Sequence, residues 1–96
     1  MESEVTIREE PGEYRIVARY SGDGAFSVSG ESAGPVTLTV RVEDVWSRIP
    51  ERLRRYSYAA SVWRDGVDEP SHVLEDVAPD ARIFLDFERT FRMEFK

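Results

Sequence analysis

Residues 82–96 read RIFLDFERTFRMEFK, and this stretch decides the fold of the chain. Large apolar side chains fill nearly every odd position and polar side chains nearly every even one. The apolar set is Ile83, Leu85, Phe87, Phe91, Met93 and Phe95. A period of two is typical of a β-strand with one buried and one solvent-exposed face. The stretch contains no Gly, Pro or Asn for a hairpin turn, and its phase runs unbroken across Arg89.

A single strand of this length would be too long for the chain. At about 3.3 Å per residue it would run roughly 50 Å, whereas a compact chain of this size has a radius of gyration near ~12–13 Å. The strand must bend, break without losing phase or reach a partner. Without a turn or bulge, two outcomes are predicted. Either the strand coils around a sandwich or barrel, or Phe91, Met93 and Phe95 project and dock onto a second copy or another protein.

Alternation of apolar and polar residues predicts more strands earlier in the chain. These strands are predicted around residues 5–7, 14–20, 25–29, 36–43 and 57–64. Glu-Pro-Gly-Glu at residues 10–13 predicts a type II turn. Helical spacing of apolar residues predicts a loose turn through Arg48, a short helix over residues 50–56 and one or two helical turns within residues 71–77.

Strands joined by short turns pair antiparallel, and a helix must bury its apolar stripe against another layer. The sequence therefore predicts an α+β fold: one domain, residues 1–96, with an antiparallel sheet of five or six strands and one short helix packed on it. The alternative is a small β-sandwich or barrel with a plugging helix. The apolar stripes predict a core that includes Ile16, Leu38, Val40, Leu53, Leu85 and Phe87.

Composition excludes several classes of site. The 96 residues include no cysteine, which removes disulfides, thiolate metal sites and cysteine nucleophiles. No apolar leader follows Met1, and the longest run without a charged residue is nine, at 32–40. These features predict a cytoplasmic protein without a membrane span. No cofactor or metal motif is present.

An arginine cluster is the first candidate for a binding surface. Arg48, Arg52, Arg54 and Arg55 lie close together in sequence against a single Glu, on a chain with a net charge of −6. Guanidinium groups bind phosphate and carboxylate, and the nearby Tyr58 and Trp63 could stack on a base or anchor a protein. The alternatives are an anion or nucleic-acid site, or simply the solvated face of a helix. The acidic remainder of the chain disfavours nucleic acid.

Acid–base chemistry is a further alternative. Asp86 and Glu88 share one face of the last stretch, and His72 is the only histidine. Paired carboxylates can perform acid–base work or bind a divalent cation. Ion pairing with Arg82 and Arg92, which share that polar face, is the simpler interpretation.

A small, cysteine-free, β-rich chain without catalytic motifs is more often a binding or assembly module than an enzyme. The sequence therefore predicts a non-enzymatic protein-interaction module, such as an accessory subunit, an assembly subunit or a phage or host inhibitor, that binds a partner through a sheet edge or face. The candidate partner-binding residues are Arg48, Arg52, Arg54, Arg55, Tyr58, Trp63, Phe91, Met93 and Phe95. Anion or nucleic-acid binding and a small carboxylate enzyme are the two alternatives.

Overall fold

The computed structural model describes residues 3–7 and 14–96. The strands are β1 (Ser3–Ile7), β2 (Tyr14–Tyr20), β3 (Phe26–Ser32), β4 (Val36–Arg41), β5 (Tyr58–Arg64), β6 (His72–Val77), β7 (Arg82–Phe87) and β8 (Thr90–Phe95). A short helix, α1 (Val42–Trp46), and a 3₁₀ turn (Glu51–Leu53) separate β4 from β5. The turn predicted at residues 10–13 lies outside the described residues.

Six strands form one antiparallel sheet in the order β1-β2-β3-β8-β5-β6, and β4 pairs with β7 in a separate two-stranded ribbon. The α+β prediction of an antiparallel sheet with one short helix is confirmed. The last strand lies at the centre of the large sheet, because Met93 pairs with Val28 on one side and with Val62 on the other.

The stretch 82–96 breaks without losing phase, as its length allowed, and adopts neither the coiled nor the projecting outcome. It breaks at residues 88–89, so β7 lies in the ribbon and β8 lies in the large sheet. Both halves keep their apolar residues toward the same core, and the rings of Phe87 and Phe91 lie 4.7 Å apart across the break. The carboxylate of Asp65 fixes this break by accepting hydrogen bonds from the backbone N–H groups of Arg89 and Thr90.

One hydrophobic core lies between the large sheet, the ribbon and α1. Five of the six predicted core residues are buried there, and Leu53 is partly buried against it. The buried residues of the ribbon and helix include Leu38, Val42, Val45, Leu85 and Phe87. They cover the inner face of the sheet, so the opposite face is open.

Two predictions between the strands are wrong. The helix is α1, ahead of Pro50 and not after it, because Val42 and Val45 enter the core directly after β4. Beyond the 3₁₀ turn the backbone of Arg54 is extended, with φ −65° and ψ 132°. Residues 71–77 hold a strand in place of helical turns, because β6 gains backbone hydrogen bonds along β5. None of the helices in residues 3–7 and 14–96 is long and apolar enough to cross a membrane.

Candidate functional site

The guanidinium group of Arg54 is hydrogen-bonded to nearby backbone carbonyls. Its Nε donates a hydrogen bond to the carbonyl of Ile49 at 2.9 Å, and its Nη2 donates to the carbonyl of Ser47 at 2.8 Å. The guanidinium also lies 4.8 Å from the ring centroid of Trp46. These contacts stabilise the chain where α1 ends and the 3₁₀ turn begins, so Arg54 acts within the fold.

Arg55 and Tyr58 hold the loop between β2 and β3. The Arg55 Nη2 donates to the carbonyl of Asp23 at 3.1 Å and lies 3.8 Å from its carboxylate. The Tyr58 hydroxyl donates to the carbonyl of Gly24 at 2.9 Å. Tyr58 is only 2% exposed, and burial raises the pKa of its hydroxyl. Placing Tyr58 on a partner-binding surface was therefore wrong, since its side chain belongs to the core.

Three other predicted residues, Arg48, Arg52 and Trp63, keep some or all of their side chain accessible. Arg48 and Arg52 are exposed on the surface. Trp63 is half-buried on the open face of the sheet, where the guanidinium of Arg92 lies 4.3 Å from its ring centroid. Of the four predicted arginines, Arg48 and Arg52 are therefore exposed, while Arg54 and Arg55 are engaged by backbone carbonyls.

The apolar residues of β8 do not project from the molecule. Phe91, Met93 and Phe95 are 3%, 0% and 0% exposed, respectively. The prediction that they form a docking surface is contradicted by this burial, because β8 is the central strand of the sheet and not a free end.

The carboxylates proposed for acid–base work have structural partners or lie apart. Asp86 accepts a hydrogen bond from the Thr37 hydroxyl at 2.7 Å, across the ribbon. Arg92 lies 3.8 Å from Glu94 and not beside Glu88, which differs from the predicted ion pairing. In the part of the chain that the structure describes, no three His, Asp or Glu side chains converge as metal ligands would.

β6 is an edge strand of the large sheet, as β1 is at the other end. Within the sheet, β6 is hydrogen-bonded to β5 alone. Five of its six residues, from His72 to Asp76, are exposed, and only Val77 is buried. Val73 is 61% exposed and Leu74 is 36% exposed, although such side chains are normally buried in a sheet.

Register divides β6 into a straight part and an irregular part. The straight part consists of His72, Val73 and Leu74, which pair regularly with residues of β5. The register then shifts, and Asp76 has a φ of +56°, as expected of a β-bulge. Bulges commonly blunt exposed sheet edges, but this one lies near the far end of β6. The straight part therefore remains available for pairing.

Charge is distributed unevenly around this edge. Residues 65–80 contain six acidic residues and no Arg or Lys, while the rest of the chain contains thirteen acidic and thirteen basic residues. The entire formal net charge of −6 thus lies in β6 and the loops on either side. We call residues 65–80 the edge segment.

The chain matches no protein-family model and no curated protein.

Sequence reasoning missed the edge segment, although part of its signal was visible. The run of seventeen positions without Arg or Lys between Arg64 and Arg82 can be read directly from the sequence. Reading residues 71–77 as helical turns concealed the strand, and the position of that strand at a sheet edge follows only from the topology.

Proposed function

We propose that this chain is a non-enzymatic protein-binding module that accepts an extended segment of a partner protein alongside β6. The single observation that carries this proposal is the exposed outer edge of β6, with Val73 and Leu74 displayed on its straight part. An accessory, inhibitory or assembly role would be exercised through this contact.

Strand addition uses both the backbone and the side chains of an edge strand. Alternate residues of an edge strand direct their N–H and C=O groups away from the sheet, and an added strand satisfies them. Val73 pairs with Ser61 and so shares the open face with Trp63, whereas Leu74 pairs with the buried Ala60 and lies at the core margin. An incoming strand would therefore meet one apolar side chain on each face.

The ribbon supplies an exposed apolar residue for comparison. Phe84 is 75% exposed on the outer face of β7, opposite Thr39. It is surrounded by the polar outer side chains of the ribbon, and no second exposed large apolar side chain accompanies it there. A lone apolar side chain of this kind is common on protein surfaces, so Phe84 serves as the control position.

The proposal is tested by selecting binders from a display library of random linear peptides that can span β6, roughly 20 Å. The affinity of selected peptides is measured for the wild type, for a Val73→Thr, Leu74→Thr double variant and for Phe84→Thr. We expect the double variant to bind at least about tenfold more weakly, a loss of roughly 1.4 kcal/mol, and Phe84→Thr to bind like the wild type. Equal binding by the double variant would contradict the proposal.

Proline substitutions test the backbone contribution. The N–H groups of Val73 and Leu74 point to opposite sides of β6, so Pro at one position removes a bond to β5 and Pro at the other removes only an outward donor. Thermal unfolding identifies the variant that retains its stability. That variant should lose peptide binding, and full binding by it would exclude strand addition.

A further inference from the structure

The straight part of β6 is flanked on both sides by exposed carboxylates. Asp68 and Glu69 precede it, and Glu75 and Asp76 follow it. Among the residues that the structure describes, none of these four carboxylates takes part in an ion pair. Exposed like charges in such a segment repel one another, and a cationic partner would relieve that repulsion.

From this charge we infer that the occupant of the β6 edge is a basic extended segment of another protein, with two adjacent apolar residues flanked by Arg or Lys. This inference rests on the proposed function, because the edge of β6 provides the site and the charge selects what pairs with it. Charged residues arranged in this way govern the association rate and the choice of partner more than the total affinity.

A second copy of this chain does not fit the same edge. Pairing β6 with β6 would bring two edge segments together, each with six acidic residues and no Arg or Lys. Like charges opposite one another destabilise a pair of strands. Self-association through this edge is therefore disfavoured.

Register indicates how the partner segment is arranged. Val73 and Leu74 lie on opposite faces of the sheet, so two successive apolar residues of an added strand can cover both. Glu75, the next residue, and Glu69, three residues before His72, carry the acidic flanks. Basic residues are thus expected on both sides of the apolar pair.

Three synthetic peptides test this inference. The first has a central Val-Ile pair with alternating Thr and Arg or Lys on both sides, the second replaces every basic residue with Glu, and the third is the basic peptide with Pro at the centre. Titration calorimetry measures their affinity for the intact chain. We expect the basic peptide to bind at least about tenfold more tightly than the acidic one. This preference should shrink as salt rises from about 0.05 M to about 0.5 M, because the screening length falls.

Charge variants of the chain locate the effect. Glu69→Gln, Glu75→Gln and Asp76→Asn together should reduce the preference for the basic peptide by at least about fivefold, since each removes a flanking charge. Asn is suited to position 76 because it tolerates positive φ. Glu43→Gln, Asp44→Asn and Glu51→Gln make the same change in net charge outside the edge segment and should leave the preference unchanged.

The outcomes separate this inference from the proposed function. Equal affinity for the basic and acidic peptides, with both weakened in the Val73→Thr, Leu74→Thr variant, would overturn the basic partner and retain strand addition. Undiminished binding of the Pro-containing basic peptide would mean that charge alone is recognised, which overturns strand addition. No binding of the basic peptide, or a dimer in sedimentation that the Val73→Thr, Leu74→Thr variant abolishes, would overturn the inference.

Discussion

Two regions of this protein differ in where their polar side chains find partners: in one they bind the chain's own backbone, and in the other they are exposed. The first, which we call the loop–turn unit, comprises residues 21–25 and 46–58; the second is the edge segment. In the loop–turn unit, Arg54, Arg55, Trp46 and Tyr58 all donate hydrogen bonds to backbone carbonyls of the same unit. In β6, at the centre of the edge segment, exposed side chains extend from a strand that has one neighbour.

The difference shows that residues with recognisable binding chemistry in a sequence need not lie on a surface that a partner can reach. Where the chain leaves regular structure around Pro50, backbone carbonyls lose their helix and sheet partners, and each needs a replacement donor. Nearby guanidinium and indole groups supply those donors. The same arginine residues that resemble a binding cluster are therefore partly used to hold an irregular segment together.

The sharpest test of this comparison replaces one glycine in each region with alanine. A Cβ on Gly24 would lie 2.2 Å from the carbonyl oxygen of Leu53, and Gly24 has a φ of +94°; a Cβ on Gly66, with a φ of +74°, would meet nothing within 4 Å. We expect Gly24→Ala to cost about 3 kcal/mol or more, from backbone strain and a clash, and Gly66→Ala about 1–2 kcal/mol, from strain alone. Urea unfolding measures both costs, and equal values would show that the loop–turn unit is not tightly packed.

A smaller effect is expected from a comparison of Arg54, which is hydrogen-bonded within the fold, with the exposed Arg52. Arg54→Ala should cost about 1–2 kcal/mol because it removes a charged donor from two carbonyls. Arg52→Ala, at an exposed position in the same short sequence, should change the free energy of unfolding by less than about 0.5 kcal/mol. Chemical denaturation of both variants gives the comparison. A larger cost at Arg52 than at Arg54 would refute the internal role of Arg54.

Much of the sheet could be predicted from the sequence because one face of each of several strands is buried. Alternation places Ile16 and Ala18 of β2, and Leu38 and Val40 of β4, on the buried side, and the structure agrees. A break that keeps the phase was one of the possibilities for this stretch, but its position at residues 88–89 could not be predicted, because two skipped residues preserve a period of two. The side chain that fixes the break, Asp65, is distant in sequence.

The candidate site was less predictable than the fold. Exposed Val73 and Leu74 fit a short helix as well as a strand, since local apolar spacing does not distinguish the two in so short a segment. Pairing with β5 decides between them. The edge position of β6 depends on β8 entering between β3 and β5, a long-range arrangement that no local pattern encodes.

Substitutions in the edge segment should affect the stability of the protein less than substitutions in the loop–turn unit. Val73→Thr and Leu74→Thr should each alter the free energy of unfolding by less than about 0.5 kcal/mol, because both side chains are exposed and Thr favours strands. Thermal unfolding of the double variant checks this. A loss above about 2 kcal/mol would mean that these side chains pack within the chain and that their exposure does not mark a binding edge.

The smallest expected effect concerns two carboxylates, one in each region. Hydrogen bonds from the Ser21 hydroxyl and the Ala25 N–H lower the pKa of Asp23 below 3.8. Hydrogen bonds from the Arg89 and Thr90 N–H groups likewise lower the pKa of Asp65 below 3.8. Because the folded state holds these protons less tightly than the unfolded state, each contribution is complete above pH 3.8 and is lost as the pH falls through the folded pKa.

Asp23→Asn and Asp65→Asn should therefore destabilise the protein slightly at pH 7 and have progressively less effect below pH 3.8, where the wild-type carboxylates become protonated. Urea unfolding across this pH range measures the difference. Asn suits position 65, where φ is +50°. Ser21→Ala is the control, since losing the main donor to Asp23 should weaken the same pH dependence. A variant that stays equally destabilised at low pH would show that the carboxylate acts through its shape and not its charge.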